Sequence, residues 1–173
     1  MEKLFVLAGK ARSGKDTTAD IIEKYYKDKK IVRLMYAAPV KNYAKIISNW
    51  DGSEKDKPRD LLQEIAVNSR KINPGYTIRR MEEDINILKE YFDIIIITDT
   101  RMLDEITMPK EKFKETITIK LERKNNELSE KQKNNITETA LDNYNDYNYI
   151  VLNNGSLEEL ENKIIDIIES EEV

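Results

Sequence analysis

The stretch GKARSGKDT, Gly9 to Thr17, constrains this chain more than any other. The apolar run Leu4-Phe5-Val6-Leu7-Ala8 precedes it, and Ala19, Ile22, Tyr25 and Tyr26 follow at helical spacing. The context is therefore strand, glycine-bounded loop, helix. Between Gly9 and Gly14 the backbone N–H groups can turn inward around an anion. A helix beginning near Lys15 adds its own free N–H groups and the positive end of its dipole. Lys15 then reaches the outer phosphates of a nucleoside triphosphate, with Arg12, Ser13 and Thr17 around the same anion. Two glycines and a lysine at this spacing also describe an ordinary strand-to-helix turn. The flanks decide: the chain has five glycines, and two stand where such a loop needs them.

Asp16 departs from the common pattern, in which a Ser or Thr after the lysine offers its hydroxyl to magnesium. Thr17 comes one residue late, and a helix turns by about 100° per residue, so it does not simply replace the missing hydroxyl. Asp16 is read as a direct or water-mediated magnesium partner, against the plainer reading of a carboxylate capping the first helix. The string RSGKDTTAD resembles the phosphate loop of the phage deoxynucleoside monophosphate kinases. It is less similar to that of the animal-type phosphomevalonate kinases, where Asp also follows the Lys.

At 173 residues the chain suits one domain, large enough to bury a core without disulfides or metals. It has no Cys and no His, which removes thiol chemistry, imidazole bases and the common zinc sites. Catalysis falls to Lys, Arg, Asp, Glu and backbone groups. With 29 basic and 33 acidic residues, net −4, the chain is no general nucleic-acid binder. The apolar N-terminal run is too short for a signal-peptide core, and no apolar segment is long enough for a membrane span. A soluble cytoplasmic protein is expected, in the host cytoplasm if the gene is a phage's. The oligomeric state stays open, a homodimer included.

A second strand is expected over Ile31–Tyr36, closing a βαβ unit. Pro39 punctuates its end, and Lys41 opens a helical region running to Phe92. Pro58 suits a first helical turn, and Leu61, Leu62, Ile65 and Ile72 give that helix an apolar face. After the turn signal Asn73-Pro74-Gly75, Ile78, Met81, Ile85, Leu88 and Phe92 mark the most regular amphipathic helix. Arg59, Gln63, Arg70, Arg79 and Arg80 lie in this region; singly they read as solvated charges, together as an anion clamp and base-reading face. The string LLQEIAVNSRKINPGYTIRRM resembles the corresponding, acceptor-binding segment of the phage kinases.

DIIIITD, Asp93 to Asp99, fits a central parallel strand buried on both faces. Asp99 then stands at its carboxyl end, where ligands collect in open α/β sheets, placed to hold a magnesium-bound water. Arg101 follows in TDTRMLDEI, and this Asp-x-Arg resembles the phage kinases, which implies a place between the triphosphate and the acceptor phosphate. The plainer reading is an Asx-type turn with Arg101 in solvent. Ile117, Ile119 and Leu121 alternate into a fourth strand. The polar run from Arg123 to Asn135 reads as a surface loop or as an active-site lid, spanning about 122–137, with Arg123 its leading cation. Tyr149–Leu152 forms the fifth strand. Ser156 and Glu159 have capping-box spacing, and Leu157, Leu160, Ile164 and Ile167 give the last helix its core face. Asn154, in the turn between, either lines the nucleotide base or serves the helix entry.

The elements form a P-loop α/β/α sandwich. The resemblance to the phage kinases covers nearly the full length and implies the parallel strand order 2-3-1-4-5, an acceptor-binding insertion over about 40–92, and transfer of the γ-phosphoryl of ATP to a deoxynucleoside 5′-monophosphate. The expected assignment gives the triphosphate to Gly9, Arg12, Ser13, Gly14, Lys15, Asp16 and Thr17, with Asn154 at the base. Lys15, Arg101 and Arg123 act on the transferring group, and Asp16 and Asp99 serve magnesium. Lys41, Gln63, Arg70, Arg79 and Arg101 serve the acceptor. A phosphomevalonate-type kinase or a nucleotide-binding module without transfer activity are the rival readings.

Overall fold

A computed structural model describes residues 1–124 and 139–172. Five strands form one parallel sheet: β1 (Lys3–Ala8), β2 (Ile31–Leu34), β3 (Ile94–Thr100), β4 (Thr116–Glu122) and β5 (Tyr149–Leu152). Their order across the sheet is β2-β3-β1-β4-β5. The chain crosses between them through α1 (Lys15–Tyr25), α2 (Ala38–Ser48), α3 (Arg59–Ile72), α4 (Tyr76–Leu88) and α5 (Leu103–Lys112), and ends in α6 (Leu157–Ser170).

The apolar sequence runs explain the layers. Every residue from Ile94 to Ile97 is fully buried, as a central strand covered on both faces requires. Because side chains alternate, Phe5, Leu7, Ile94 and Ile96 pack under Ala19, Ile22, Leu160 and Ile164 of α1 and α6. Leu4, Val6, Ile95 and Ile97 meet Met81 and Ile85 of α4 and Met108 of α5 on the opposite face. The two helical layers thus make an α/β/α sandwich. β1 pairs with β3 in register from Lys3↔Ile94 to Val6↔Ile97, then slips before Ala8↔Thr100, where the chain leaves the sheet for Gly9. Among the described residues no helix is long and apolar enough to cross a membrane.

Several sequence-based boundaries move. β2 ends at Leu34, and α2 begins at Ala38 with Pro39 in its first turn, so Pro39 starts the helix rather than ending the strand. α4 stops at Leu88, short of Phe92. α3 buries no residue: Leu61, Leu62 and Ile65 are half-buried, and Ile72 is 84% exposed. That helix packs on α2 rather than on the sheet, which accounts for its thin apolar cover. Leu157 lies on the apolar face of α6 by rotation but is 62% exposed, because the first residue of the helix projects past the packed layer. The core face begins at Leu160 and is completed by Ile168. α5 has no counterpart in the sequence reading; its interior Pro109 and exposed Leu103 disguise it.

Candidate functional site

The carboxyl ends of β1, β3, β4 and β5 open on one side of the sheet, and the site is assembled there. The loop after β1 needs glycine twice. Gly9 has φ +142°, and a Cβ there would lie 2.5 Å from the Leu121 carbonyl oxygen and 2.7 Å from Ser13 Oγ. Gly14 has φ +108°, with Asn153 Nδ2 in the space a Cβ would take. Arg12 adopts a left-handed conformation at φ 61° and is exposed. Ser13 is buried, and its hydroxyl meets no hydrogen-bond partner among the described residues. α1 then starts at Lys15 with no side-chain cap, its first turn carrying exposed Asp16 and half-buried Thr17. The Lys15 side chain folds back over the loop, donating from Nζ to the carbonyls of Gly9 at 2.7 Å and Lys10 at 2.9 Å. Uncapped N–H groups, an orphaned hydroxyl and an ammonium group around one small concavity fit an anion.

A cavity of about 370 Å³ opens beside this loop. Gly9 and Lys10, Arg101 from the end of β3, Lys120 to Lys124 from the end of β4, and Leu152 and Asn154 after β5 line it, together with Leu141, Asp142 and Tyr147. The structure therefore brings Arg101, Arg123 and Asn154 to one wall with Gly9. Asn154 also accepts from the Lys124 N–H at 2.8 Å, fastening the β5–α6 turn to the end of β4. Sequence reading missed Lys10, which pairs with Asp142 at 2.9 Å, and Tyr147, whose ring lies 5.5 Å from Lys120 Nζ. Both depend on contacts that no local pattern encodes. The lid expected over about 122–137 falls, for residues 125–137, outside the described residues.

The two oxygens of Asp99 accept from the N–H groups of Tyr36 at 2.8 Å and Ala37 at 2.9 Å. Asp99 thus fastens the turn entering α2 to β3, a structural role that its position alone did not reveal. Burial raises its carboxyl above the ordinary range, opposed by those two N–H groups and by the charges of Lys41 and Arg101. Lys41 is half-buried and directs Nζ to Met35 Sδ at 3.4 Å. The other expected acceptor residues do not converge. Gln63 lines a shallow depression formed by α3 alone, with Asp60, Glu64, Val67 and Asn68. Arg79 donates to the Pro74 carbonyl at 3.0 Å and to Asn73 Oδ1, Arg80 pairs with Asp84, and Arg70 is exposed. Neither Arg70 nor Arg79 lines the cavity beside the glycine loop.

Arg101 is held from behind. Glu105, 4% exposed, accepts from the backbone N–H groups of Arg101 at 2.7 Å and Met102 at 3.0 Å. Burial pushes its carboxyl up to about 7. An acid with a raised folded-state pKa stabilises the fold below its ordinary value of 4.5, and that contribution is lost as pH rises towards 7. The shift corresponds to roughly 3 kcal/mol. Asp99, whose charge also raises Glu105, adds a slope of the same sign, so comparison with Glu105→Gln reads Glu105 together with its coupling to Asp99. Urea unfolding at several pH values should show the wild type losing stability between about pH 4.5 and 7 more steeply than the variant. Parallel curves would mean that Glu105 titrates normally.

No family model and no curated protein matches the chain by sequence. Solved structures match it in fold. An APS kinase from Mycobacterium tuberculosis, in complex with AMPPNP and APS, is 10% identical, with 96% of this chain and 97% of that one covered at a TM-score of 0.57. A dephospho-CoA kinase from Campylobacter jejuni is 16% identical, with coverage of 98% and 97% and a TM-score of 0.54. A shikimate kinase from Aquifex aeolicus is 15% identical, with 96% of each chain covered and a TM-score of 0.51. Coverage of both chains end to end, at identities this low, is a likeness of architecture: the five-stranded sheet with its helices has the P-loop kinase fold.

Proposed function

We propose that the chain is an ATP-dependent small-molecule kinase whose acceptor is a deoxynucleoside 5′-monophosphate. The observation that carries the reading is that Gly9, Arg101 and Arg123, one from each of three neighbouring strand ends, line the same cavity. A phosphoryl group in transfer carries charge on several oxygens, and two arginines beside a phosphate-binding loop supply the matching positive charge. The acceptor phosphate is already nucleophilic, so the absence of His removes nothing the reaction needs. The similar APS kinase holds AMPPNP, which supports ATP as donor here.

In this reading the residues from Gly9 to Thr17 hold the triphosphate, and Asn154 borders the base. Among the described residues no group of three acidic side chains could hold a metal. Magnesium is ordinarily bound by one or two carboxylates plus substrate phosphates, and Asp16, exposed at the first turn of α1, fits that demand directly. Asp99 would serve it only through water, since both its oxygens already hold backbone N–H groups. Bound magnesium supplies neutralisation of phosphate charge. Of the proposed acceptor residues, Arg101 lines the cavity; Lys41, whose ammonium lies on Met35 Sδ, and Gln63, Arg70 and Arg79 join it only if the elements that carry them rearrange when the acceptor binds.

An acceptor panel tests the proposal. ADP release should require a deoxynucleoside monophosphate and should not be elicited by phosphomevalonate. Release with phosphomevalonate alone would transfer the reading to that class of kinase, and ATP binding without any acceptor-dependent release would leave a nucleotide-binding module.

A further inference from the structure

The phosphate loop is tied to the opposite end of the chain by one buried side chain. Asn153, 9% exposed, donates from Nδ2 to the Ser13 carbonyl at 2.9 Å across 140 residues of sequence. The same amide occupies the space beside Gly14 where a Cβ would stand, and Leu160 Cδ2 lies 3.8 Å from that position. The Asn153 backbone is itself fixed, its N–H donating to the Glu122 carbonyl at 2.7 Å. The peptide joining Ser13 to Gly14 is planar and trans, so its carbonyl and its N–H point in opposite directions. Anchoring the carbonyl on Asn153 aims the Gly14 N–H away from the β5–α6 turn. No acceptor meets that N–H among the described residues.

We infer that Asn153 is a positioning residue: by holding the Ser13 carbonyl it presets the Gly14 N–H as a donor to the triphosphate. The inference rests on the phosphate-loop reading but not on phosphoryl transfer. A second consequence follows from the neighbouring residue. Asn154 receives the Lys124 N–H, so a single turn sets both the floor of the phosphate loop and the wall of the cavity. A loop with left-handed residues thereby acquires a fixed donor direction before any ligand arrives, which lowers the ordering cost of binding.

The test uses the full chain and inorganic tripolyphosphate, which has no base to confuse the two halves of the site. Asn153→Ala should weaken tripolyphosphate binding about tenfold by calorimetry, the scale of one lost hydrogen bond to a bound group. Asn153→Leu keeps much of the bulk, adds no charge and has no donor for the Ser13 carbonyl, and it should bind as weakly as the alanine variant. If the residue served packing alone, the leucine variant would bind like the wild type, and the inference would fall. NMR supplies a readout independent of affinity: the Gly14 amide resonance should shift on tripolyphosphate addition in the wild type and much less in both variants. Equal Gly14 shifts in all three proteins would overturn the inference even if affinities differed. In turnover, the KM for MgATP should rise with kcat within a factor of about two, as for a contact made equally in ground and transition states. Should the variants lose tripolyphosphate while no acceptor is ever phosphorylated, the role of Asn153 stands and the kinase reading falls; a wild type that ignores tripolyphosphate removes both.

Discussion

Lys15→Ala is expected to lower phosphoryl transfer by on the order of 10³-fold or more while the protein stays folded. The side chain is nearly covered, and the loop supplies part of that cover: Nζ donates to the Gly9 and Lys10 carbonyls. Those carbonyls belong to exposed or half-exposed residues and can turn to water once the ammonium is gone, so little of the sheet is disturbed. On the proposed reading, what disappears is a positive charge beside the transferring phosphoryl group, in a site where charges interact more strongly than in bulk water. Lys15→Met retains the aliphatic stem and should be as inactive as the alanine variant, which separates charge from packing. Steady-state ADP release, with circular dichroism as a fold control, reads the result. Near-normal turnover in either variant would refute the phosphate-loop assignment.

The parts of the molecule legible in the sequence are those whose signal is local. Ile94 to Ile97 declared a doubly covered strand because no polar residue interrupts them, and all four are fully buried. Lys3–Ala8, the glycine loop and the start of α1 at Lys15 follow from the order of apolar run, glycine and periodic helix. Sheet order is different in kind, since hydrophobic periodicity says that a strand is buried but not beside which strand; the expected β2-β3-β1-β4-β5 came from resemblance. Position along an axis was also invisible. Leu157 shares the rotation of Ile164 yet stands in solvent, because periodicity registers the face of a helix and not whether anything lies opposite that end. The anchoring roles of Asn153, Asp99 and Glu105 went unread for a related reason. Their partners are backbone groups, which every residue possesses, so no pairing of residue types advertises Asn153 with Ser13 or Asp99 with Tyr36 and Ala37.

These anchors also explain why the site's arginines differ in standing. Arg79 and Arg80 have partners on their own helix or the turn before it, and nothing in the sheet directs them to the cavity. Arg101 begins where β3 ends, and its backbone is held by a buried carboxylate independently of its own side chain. That separation makes its replacement interpretable. In Arg101→Ala the Glu105 bonds to the N–H groups of residues 101 and 102 survive, so α5 keeps its entry and the variant reports on the guanidinium alone.

Arg101→Ala should therefore lower kcat by about 10³-fold, the scale of a cation acting on a transferring phosphoryl group, while the KM for ATP changes by no more than a few-fold. The asymmetry follows from where charge develops. An arginine between donor and acceptor faces oxygens whose charge shifts during transfer, so its interaction is stronger in the transition state than in the bound substrates. Arg101→Lys should recover only a small part of the loss, because an ammonium group cannot match the planar fork that spans two phosphate oxygens. Arg123→Ala provides the contrast. Arg123 is exposed on the cavity wall, where its charge is screened by water until substrate covers it, and it should lose less than Arg101. If Arg101→Ala raised the KM and left kcat intact, the residue would be an ordinary ground-state contact to the triphosphate or acceptor. Wild-type values for both parameters would place the guanidinium in solvent and remove the transfer site from the end of β3.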